Sequence, residues 1–271
     1  MNITIYKAPT RREEWFMTAL LKGFGRFSGV STTVVPNSDR VVPPGTDLAV
    51  FIGAKSRALR DMCVAAGVPY LLIDKGYFRR GQYHRFCLNG FTPCYLGSGL
   101  ADPARLKGLD VKYVDRRLAS ASNVAFVGFD NKYSFFHGLG DADVYTANIT
   151  TKIKFITEGT PFKLYMRNRA ERTKLSFSAL LPSCHCVVTH GSIAGVEAVL
   201  AGVPVVSLGG RAANVVHDLS SDTLESVVNP KQPDPASVAK RIAELAWCQF
   251  TVEEIEKGFA WSVLSEQYKR L

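Results

Sequence analysis

The run from Cys186 to Gly210, CVVTHGSIAGVEAVLAGVPVVSLGG, constrains the fold of this chain most, because it is small and apolar except for a single formally charged residue, Glu197. Val187 and Val188 read as a buried strand, His190-Gly191-Ser192 as a turn, Ser192 to Leu200 as a short helix, Gly202 as its stop and Val203 to Leu208 as a second strand. That is a βαβ unit, and it commits the region to a parallel sheet. Gly191 would let a ligand approach the backbone, Ser192 would cap the helix, and the free amides at the helix start would favour an anion such as phosphate. Glu197 lies about a turn and a half further on, where a carboxylate could accept hydrogen bonds from a ribose diol. The same pattern also fits a helix packed on a sheet with Glu197 facing water.

With 271 residues the chain has room for two domains of roughly 120 to 140 residues. An apolar fraction of 46% against 21% charged is globular composition and excludes a disordered chain. The richest apolar run is interrupted by Gly191, Gly195, Gly202 and Pro204, so no stretch suits a membrane-spanning helix of about 20 residues. The opening MNITIYKAPTRREEW places its charges after a strand-like segment, unlike a signal peptide. A cytoplasmic protein without membrane contact is expected, and a monomer. Cys63, Cys87, Cys94, Cys184, Cys186 and Cys248 form no paired knuckles at zinc spacing, so buried, reduced thiols are expected rather than a metal site.

A net charge of +9 points to a polyanionic partner. The cations cluster: Lys75, Arg79, Arg80, His84 and Arg85 in one segment, Lys112, Arg116 and Arg117 in another, Lys163, Arg167, Arg169, Arg172 and Lys174 in a third. The first cluster is interleaved with Tyr77, Phe78, Tyr83, Phe86 and Phe91, as in a nucleic-acid groove where cations neutralise phosphates and rings stack on bases. Lys75, Tyr77, Phe78, Arg79, Arg80 and Arg85 are therefore the candidate DNA-binding residues. A solvated basic surface, or one drawn to anionic lipid headgroups, would share this charge.

Short β-rich runs alternate with helical stretches along the chain, the mark of an α/β protein. Expected elements of the first half are strand Ile3 to Tyr6, a helix over Arg11 to Phe27, strand Thr32 to Val35, strand LAVFIG (48–53), a helix over Ser56 to Ala66 and strand PYLLID (69–74). Lys75 to Leu109 reads as a long basic, aromatic loop, and loops of that length tend to carry function. Strand NVAFVGF (123–129) opens the second half, so the boundary is placed near residue 120. A helical region around Tyr145 to Glu158, strand Phe162 to Met166, a helix over Lys174 to Leu181, an amphipathic helix over Pro235 to Cys248 and a final helix over Thr251 to Leu271 follow. Gly23, Gly25 and Gly29 follow a helix rather than a strand, so they read as a helix stop and not as a dinucleotide loop.

Asp74 ends the strand YLLID, where the carboxyl edge of a parallel sheet opens; it is the candidate general base, although strand-end aspartates also form turns. Asp115 and Asp130 are fallbacks. Arg167 and Arg169 follow strand Phe162 to Met166 and Arg211 follows Gly209-Gly210, strand-end positions from which a guanidinium can fork onto an anion or simply face solvent. His137 could assist, or serve the structure alone. Asp141-Ala-Asp143 matches the letters of a metal-binding Asp-x-Asp but follows Gly138 and Gly140 in a turn, so no metal or other cofactor is expected to be required, with room for stimulation by Mg²⁺.

Residues 189–206, THGSIAGVEAVLAGVPVV, resemble the nucleotide-sugar half of GT-B glycosyltransferases and of the related UDP-N-acetylglucosamine 2-epimerases. The resemblance implies two Rossmann-like domains with parallel sheets facing across a cleft: an acceptor domain over 1–120, a nucleotide-sugar domain over 121–250, and a helix over 251–271 crossing back to the first. It also implies that His190, Gly191 and Ser192 meet a diphosphate and Glu197 a ribose, and that a basic residue after strand Phe162 to Met166 faces the leaving group. Many GT-B relatives carry Arg-Pro-x-Pro there, whereas this chain has Arg167-Asn168-Arg169, which leaves open which arginine serves the donor. YLLIDKGYFRRGQYHR resembles a segment of phage-encoded DNA-modifying glycosyltransferases and implies the base role for Asp74. Together these imply an inverting glycosyltransferase that moves a sugar from a nucleotide-diphosphate sugar, a UDP-sugar by expectation, to a hydroxymethylated pyrimidine in phage DNA. A GT-B enzyme acting on a lipid or polysaccharide precursor, and a non-catalytic nucleic-acid-binding protein, are the alternatives.

Overall fold

The computed structural model describes residues 1–7, 11–53, 57–90, 102–114, 121–167 and 176–268. In chain order the elements are β1 (Asn2–Lys7), α1 (Arg11–Phe24), β2 (Ser31–Pro36), β3 (Leu48–Ile52), α2 (Arg57–Ala65), β4 (Tyr70–Lys75), β5 (Tyr83–Leu88) and α3 (Ala104–Lys107). Then come β6 (Asn123–Val127), α4 (Asn131–Phe136), α5 (Ala142–Ile156), β7 (Lys163–Arg167), α6 (Phe177–Leu180), β8 (Cys184–Thr189), α7 (Ala194–Leu200) and β9 (Val205–Ser207). The chain ends with α8 (Gly210–Ala213), α9 (Pro235–Ala246), β10 (Gln249–Thr251), α10 (Val252–Glu256) and α11 (Phe259–Tyr268). No described helix is long and apolar enough to cross a membrane.

Two compact units result. Met1–Arg105 and Glu244–Leu271 form the first, and Leu106–Ala243 the second. The chain returns to the first unit at Glu244, earlier than the expected 251, because β10 adds to its sheet; the three residues Gln249-Phe250-Thr251 are too few to show a strand period.

The first unit holds a six-stranded sheet in the order β10-β5-β4-β3-β1-β2. β1, β2, β3 and β4 run parallel, whereas β5 pairs antiparallel with β4 and β10 antiparallel with β5. β3 is buried over Leu48, Ala49, Val50 and Phe51, the continuous apolar pattern of a strand covered on both faces. β5 corrects the expectation of one long loop over Lys75 to Leu109: Tyr83 to Leu88 fold as a strand, α3 follows, and residues 91–101 lie outside the described residues. Gly23 lies inside α1, not at a stop. A β-carbon there would collide with the Ile255 carbonyl, so this glycine lets α1 and α10 touch backbone to backbone.

The expected single helix over Thr251 to Leu271 is divided. Thr251 and Glu254 form a reciprocal capping box that starts α10, and Gly258, at φ 78°, ends it before α11 begins. Arg105 ties this segment to the rest of the unit. Its guanidinium donates to the carbonyls of Ala246 and Gln249, each at 2.7 Å, pairs with Glu254 at 2.7 Å, and lies 5.3–5.4 Å from the ring centres of Trp247, Phe250 and Phe259.

The second unit holds a four-stranded parallel sheet in the order β7-β6-β8-β9. Val124, Phe126, Cys186, Val188 and Val206 from three strands pack with Ile153 of α5 and with Leu224 and Val227. Cys63, Cys87, Cys184, Cys186 and Cys248 are buried and form no disulfide among the described residues; burial pushes the thiols of Cys63 and Cys87 up to about 11. Cys94 lies outside the described residues.

Candidate functional site

In the second unit the strands end together at one edge, and the loops leaving them gather the groups of interest. β8 stops at Thr189, the chain turns through His190 to Ile193, α7 runs to Leu200, and Gly202, at φ 69°, releases the chain towards β9. The turn is held from within. Thr189 Oγ1 accepts the Ser192 amide at 3.1 Å, Ser192 Oγ accepts the Ala194 amide at 3.2 Å, and the Ser192 carbonyl accepts the Gly195 amide at 3.0 Å. Ser192 does not cap the helix as expected: the cap position is Ile193, which has no side-chain cap bond, and Ser192 only closes the turn one residue earlier. The amides of Ser192, Ala194 and Gly195 are thereby taken by the turn rather than left for an anion. The glycine also differs from its expected use. A β-carbon on Gly191 would run into the Ala213 carbonyl and the Tyr133 hydroxyl, and one on Gly209 into the His190 carbonyl. These glycines let chain approach chain; they do not open the backbone to a ligand on that side.

His190 is only 8% exposed, and its Nδ1 lies 3.1 Å from the Tyr145 hydroxyl of α5. Around it stand Phe129, at 6.0 Å between ring centres, and His137, at 5.3 Å; His137 in turn lies 4.2 Å from Tyr133. Burial lowers the His190 pKa below its usual value and raises that of Tyr145, so both groups are neutral near pH 7. The imidazole is therefore equipped to act through hydrogen bonds rather than through charge. Glu197, in the first turn of α7, is half-buried between the buried Val196 and Ala198. Arg167 ends β7 at the same sheet edge, half-buried, with its guanidinium 4.5 Å from the Phe177 ring centre. Arg169 and the Arg211 side chain lie outside the described residues.

Sequence reasoning named His190, Glu197 and Arg167 but missed Phe129, Tyr133 and Tyr145. Phe129 follows a strand and precedes Asp130, which caps α4 by accepting the Tyr133 amide at 3.1 Å; that strand-to-cap pattern was the usable signal. Asp141, rather than sitting in a turn, caps α5 by accepting the amides of Asp143 and Val144. Asp115 lies outside the described residues.

In the first unit Asp74 stands at the C-terminal end of β4, directly across from Arg85 on β5. Its Oδ2 accepts from the Arg85 guanidinium at 3.0 Å and its Oδ1 from the Lys75 amide at 2.8 Å, and the carboxylate remains one-third exposed. The DNA-binding set divides. Lys75, Arg79 and Arg80 are exposed, Arg79 in the left-handed region at φ 46°. Tyr77 and Phe78, by contrast, are only 3% and 5% exposed and belong to the core, so their rings are not open for stacking on bases. Arg85 is likewise buried, paired with Asp74 and 5.4 Å from the Tyr77 ring centre, which removes it from any groove lining. The cause is Gln249: its Oε1 accepts the amides of Tyr77 at 2.7 Å and Phe78 at 3.0 Å, drawing this turn inward. A cleft of about 640 Å³ lined by Cys63, Val64, Tyr70, Asn89 and Tyr268 lies at the opposite end of β4 from Asp74, away from this chemistry.

No family model matches the sequence, and no curated protein does so. Among solved structures, the β-Kdo 2,7-transferase of KpsC from Thermosulfurimonas dismutans is similar at 14% identity over 98% of this chain and 100% of that one, with a TM-score of 0.47. The β-Kdo 2,4-transferase from the same organism matches at 13% identity over 90% of each chain, TM-score 0.46. A UDP-GlcNAc 2-epimerase from Methanocaldococcus jannaschii, solved with UDP-GlcNAc and UDP, matches at 11% identity over 90% of this chain and 99% of that one, TM-score 0.29. The α/β assignment stands on the two sheets themselves.

Proposed function

We propose that this chain is a nucleotide-sugar-dependent glycosyltransferase whose second unit binds the donor. The observation that supports it most is the buried, neutral His190, fixed by Tyr145 at the carboxyl edge of a parallel sheet, on the same βαβ unit as Glu197 and at the same sheet edge as Arg167. In this reading His190 donates to a diphosphate oxygen, Arg167 stabilises the charge that develops as the C1–O bond to phosphate breaks, and Glu197 accepts the ribose hydroxyls. The internal use of the turn amides shifts the anion contact from the Gly191-Ser192 backbone to side chains. An acceptor hydroxyl attacks C1 and gives up its proton, for which Asp74 is the proposed base.

The acceptor in this proposal is a hydroxymethylated pyrimidine in DNA. Exposed Lys75, Arg79 and Arg80 flanking Asp74 support a polyanion, held through its phosphates rather than through stacked bases. The burial of Tyr77 and Phe78 favours a second reading, in which the acceptor is an anionic polysaccharide precursor. Mass spectrometry of hydroxymethylated DNA, plain DNA and acidic oligosaccharides after incubation with a panel of nucleotide sugars separates the two. A mass gain on hydroxymethylated DNA alone supports the first; no gain on any acceptor with any donor ends both.

A further inference from the structure

We propose that Tyr145 is a positioning residue that holds the His190 imidazole as the tautomer protonated on Nε2, so that Nε2 presents a hydrogen-bond donor to an anionic oxygen of the ligand. The orientation towards a donor rests on the function proposed above; the control of the tautomer does not. Tyr145 Oη and His190 Nδ1 are 3.1 Å apart, and among the described residues neither group has another hydrogen-bond partner. Two arrangements are open to the pair. If Nδ1 carried the proton and donated it to Oη, the phenol hydrogen of the half-buried Tyr145 would have no protein acceptor among the described residues and would be left to solvent, the poorer choice for a hydroxyl held at this edge. If the phenol donates to Nδ1, both groups are satisfied and the ring proton must reside on Nε2. Burial supports the neutral form that this requires. The rings of Phe129 and His137, both edge-on to His190, restrict its rotation, so the donor direction is fixed as well as its existence.

Long-range ¹H–¹⁵N NMR reads the tautomer directly, with the His190 signals assigned through a His190→Gln variant. The wild-type ring is expected to show protonated Nε2 and bare Nδ1, and Tyr145→Phe to show a mixture of both tautomers. Titration with uridine diphosphate and, separately, with inorganic phosphate should give affinities about fivefold weaker in Tyr145→Phe, the effect of one lost or misdirected hydrogen bond. Equal weakening for both probes places His190 on phosphate alone; weakening for uridine diphosphate only places it on the nucleotide. Protonated Nδ1 in the wild type, or an unchanged single tautomer in Tyr145→Phe, overturns the proposal. Wild-type protein that binds neither probe, yet shows the tautomer change, refutes the donor site while leaving the role of Tyr145 supported.

Discussion

Asp74 and Arg85 face each other on antiparallel strands, and the pair invites two different uses of one carboxylate. As a base, Asp74 touches the reacting hydroxyl only as the proton moves, so Asp74→Asn should lower turnover about 10²-fold or more and leave the donor KM nearly unchanged. Glu197→Ala should do the reverse, raising donor KM with turnover kept, because a ribose contact is the same in ground and transition states. Steady-state kinetics with a fixed acceptor measures both; normal turnover in Asp74→Asn confines that residue to partnering the buried Arg85. His190 adds a pH dependence that needs no substrate. Its folded pKa lies below the usual value of 6.5, so below that pH the unfolded chain takes up a proton that the folded one refuses, and stability falls as acid is added. Urea unfolding between pH 7.5 and pH 5 should show this loss in the wild type and a shallower one in His190→Gln. At Gly191 any side chain collides with the Ala213 carbonyl, and Gly191→Ala should cost about 1–3 kcal/mol in the same assay.

At the scale of elements, the strands with continuous apolar runs and the helices with a clear start or stop were legible from the letters. β3, β4 and β6 fall within a few residues of their expected places because burial on both faces leaves an unbroken pattern. The expected start of α5, at Tyr145, is late because its cap Asp141 reads as a turn residue after Gly138 and Gly140. β5 and β10 were not legible. Tyr83-His84-Arg85-Phe86-Cys87-Leu88 mixes charge into a strand whose buried Arg85 pairs with Asp74 opposite, a partnership that sequence separation conceals. The site was half legible for the same reason: the βαβ pattern names His190 and Glu197, while Tyr145 comes from a helix 45 residues away. Gln249 illustrates how such long-range polar contacts shape an element. It is fully buried and satisfies two amides of the turn after β4, so Gln249→Leu should leave both unpaired and cost about 2–4 kcal/mol in total. If calorimetry shows the loss, Tyr77 and Phe78 should also become more accessible to proteases in that variant.

For the molecule as a whole, the excess of nine positive charges draws any polyanion from a distance, while only cations that touch phosphates release counterions. These two contributions part company in the salt dependence of binding. If Lys75, Arg79 and Arg80 each neutralise one phosphate of duplex DNA, together they contribute about −2.7 to the slope of log K against log salt, at about −0.9 per phosphate. Replacing all three by glutamine should therefore flatten the slope by that amount, whereas replacing three exposed cations elsewhere, such as Lys152, Lys154 and Lys240, removes the same net charge and should leave the slope nearly intact. Fluorescence anisotropy with a labelled duplex between 50 and 200 mM salt, at least four concentrations per variant, resolves the difference. Equal flattening in the two triple variants would mean that DNA feels only the overall charge of the protein. The turn beside Asp74 would then lose its claim to the acceptor, and the anionic oligosaccharide would become the substrate to pursue.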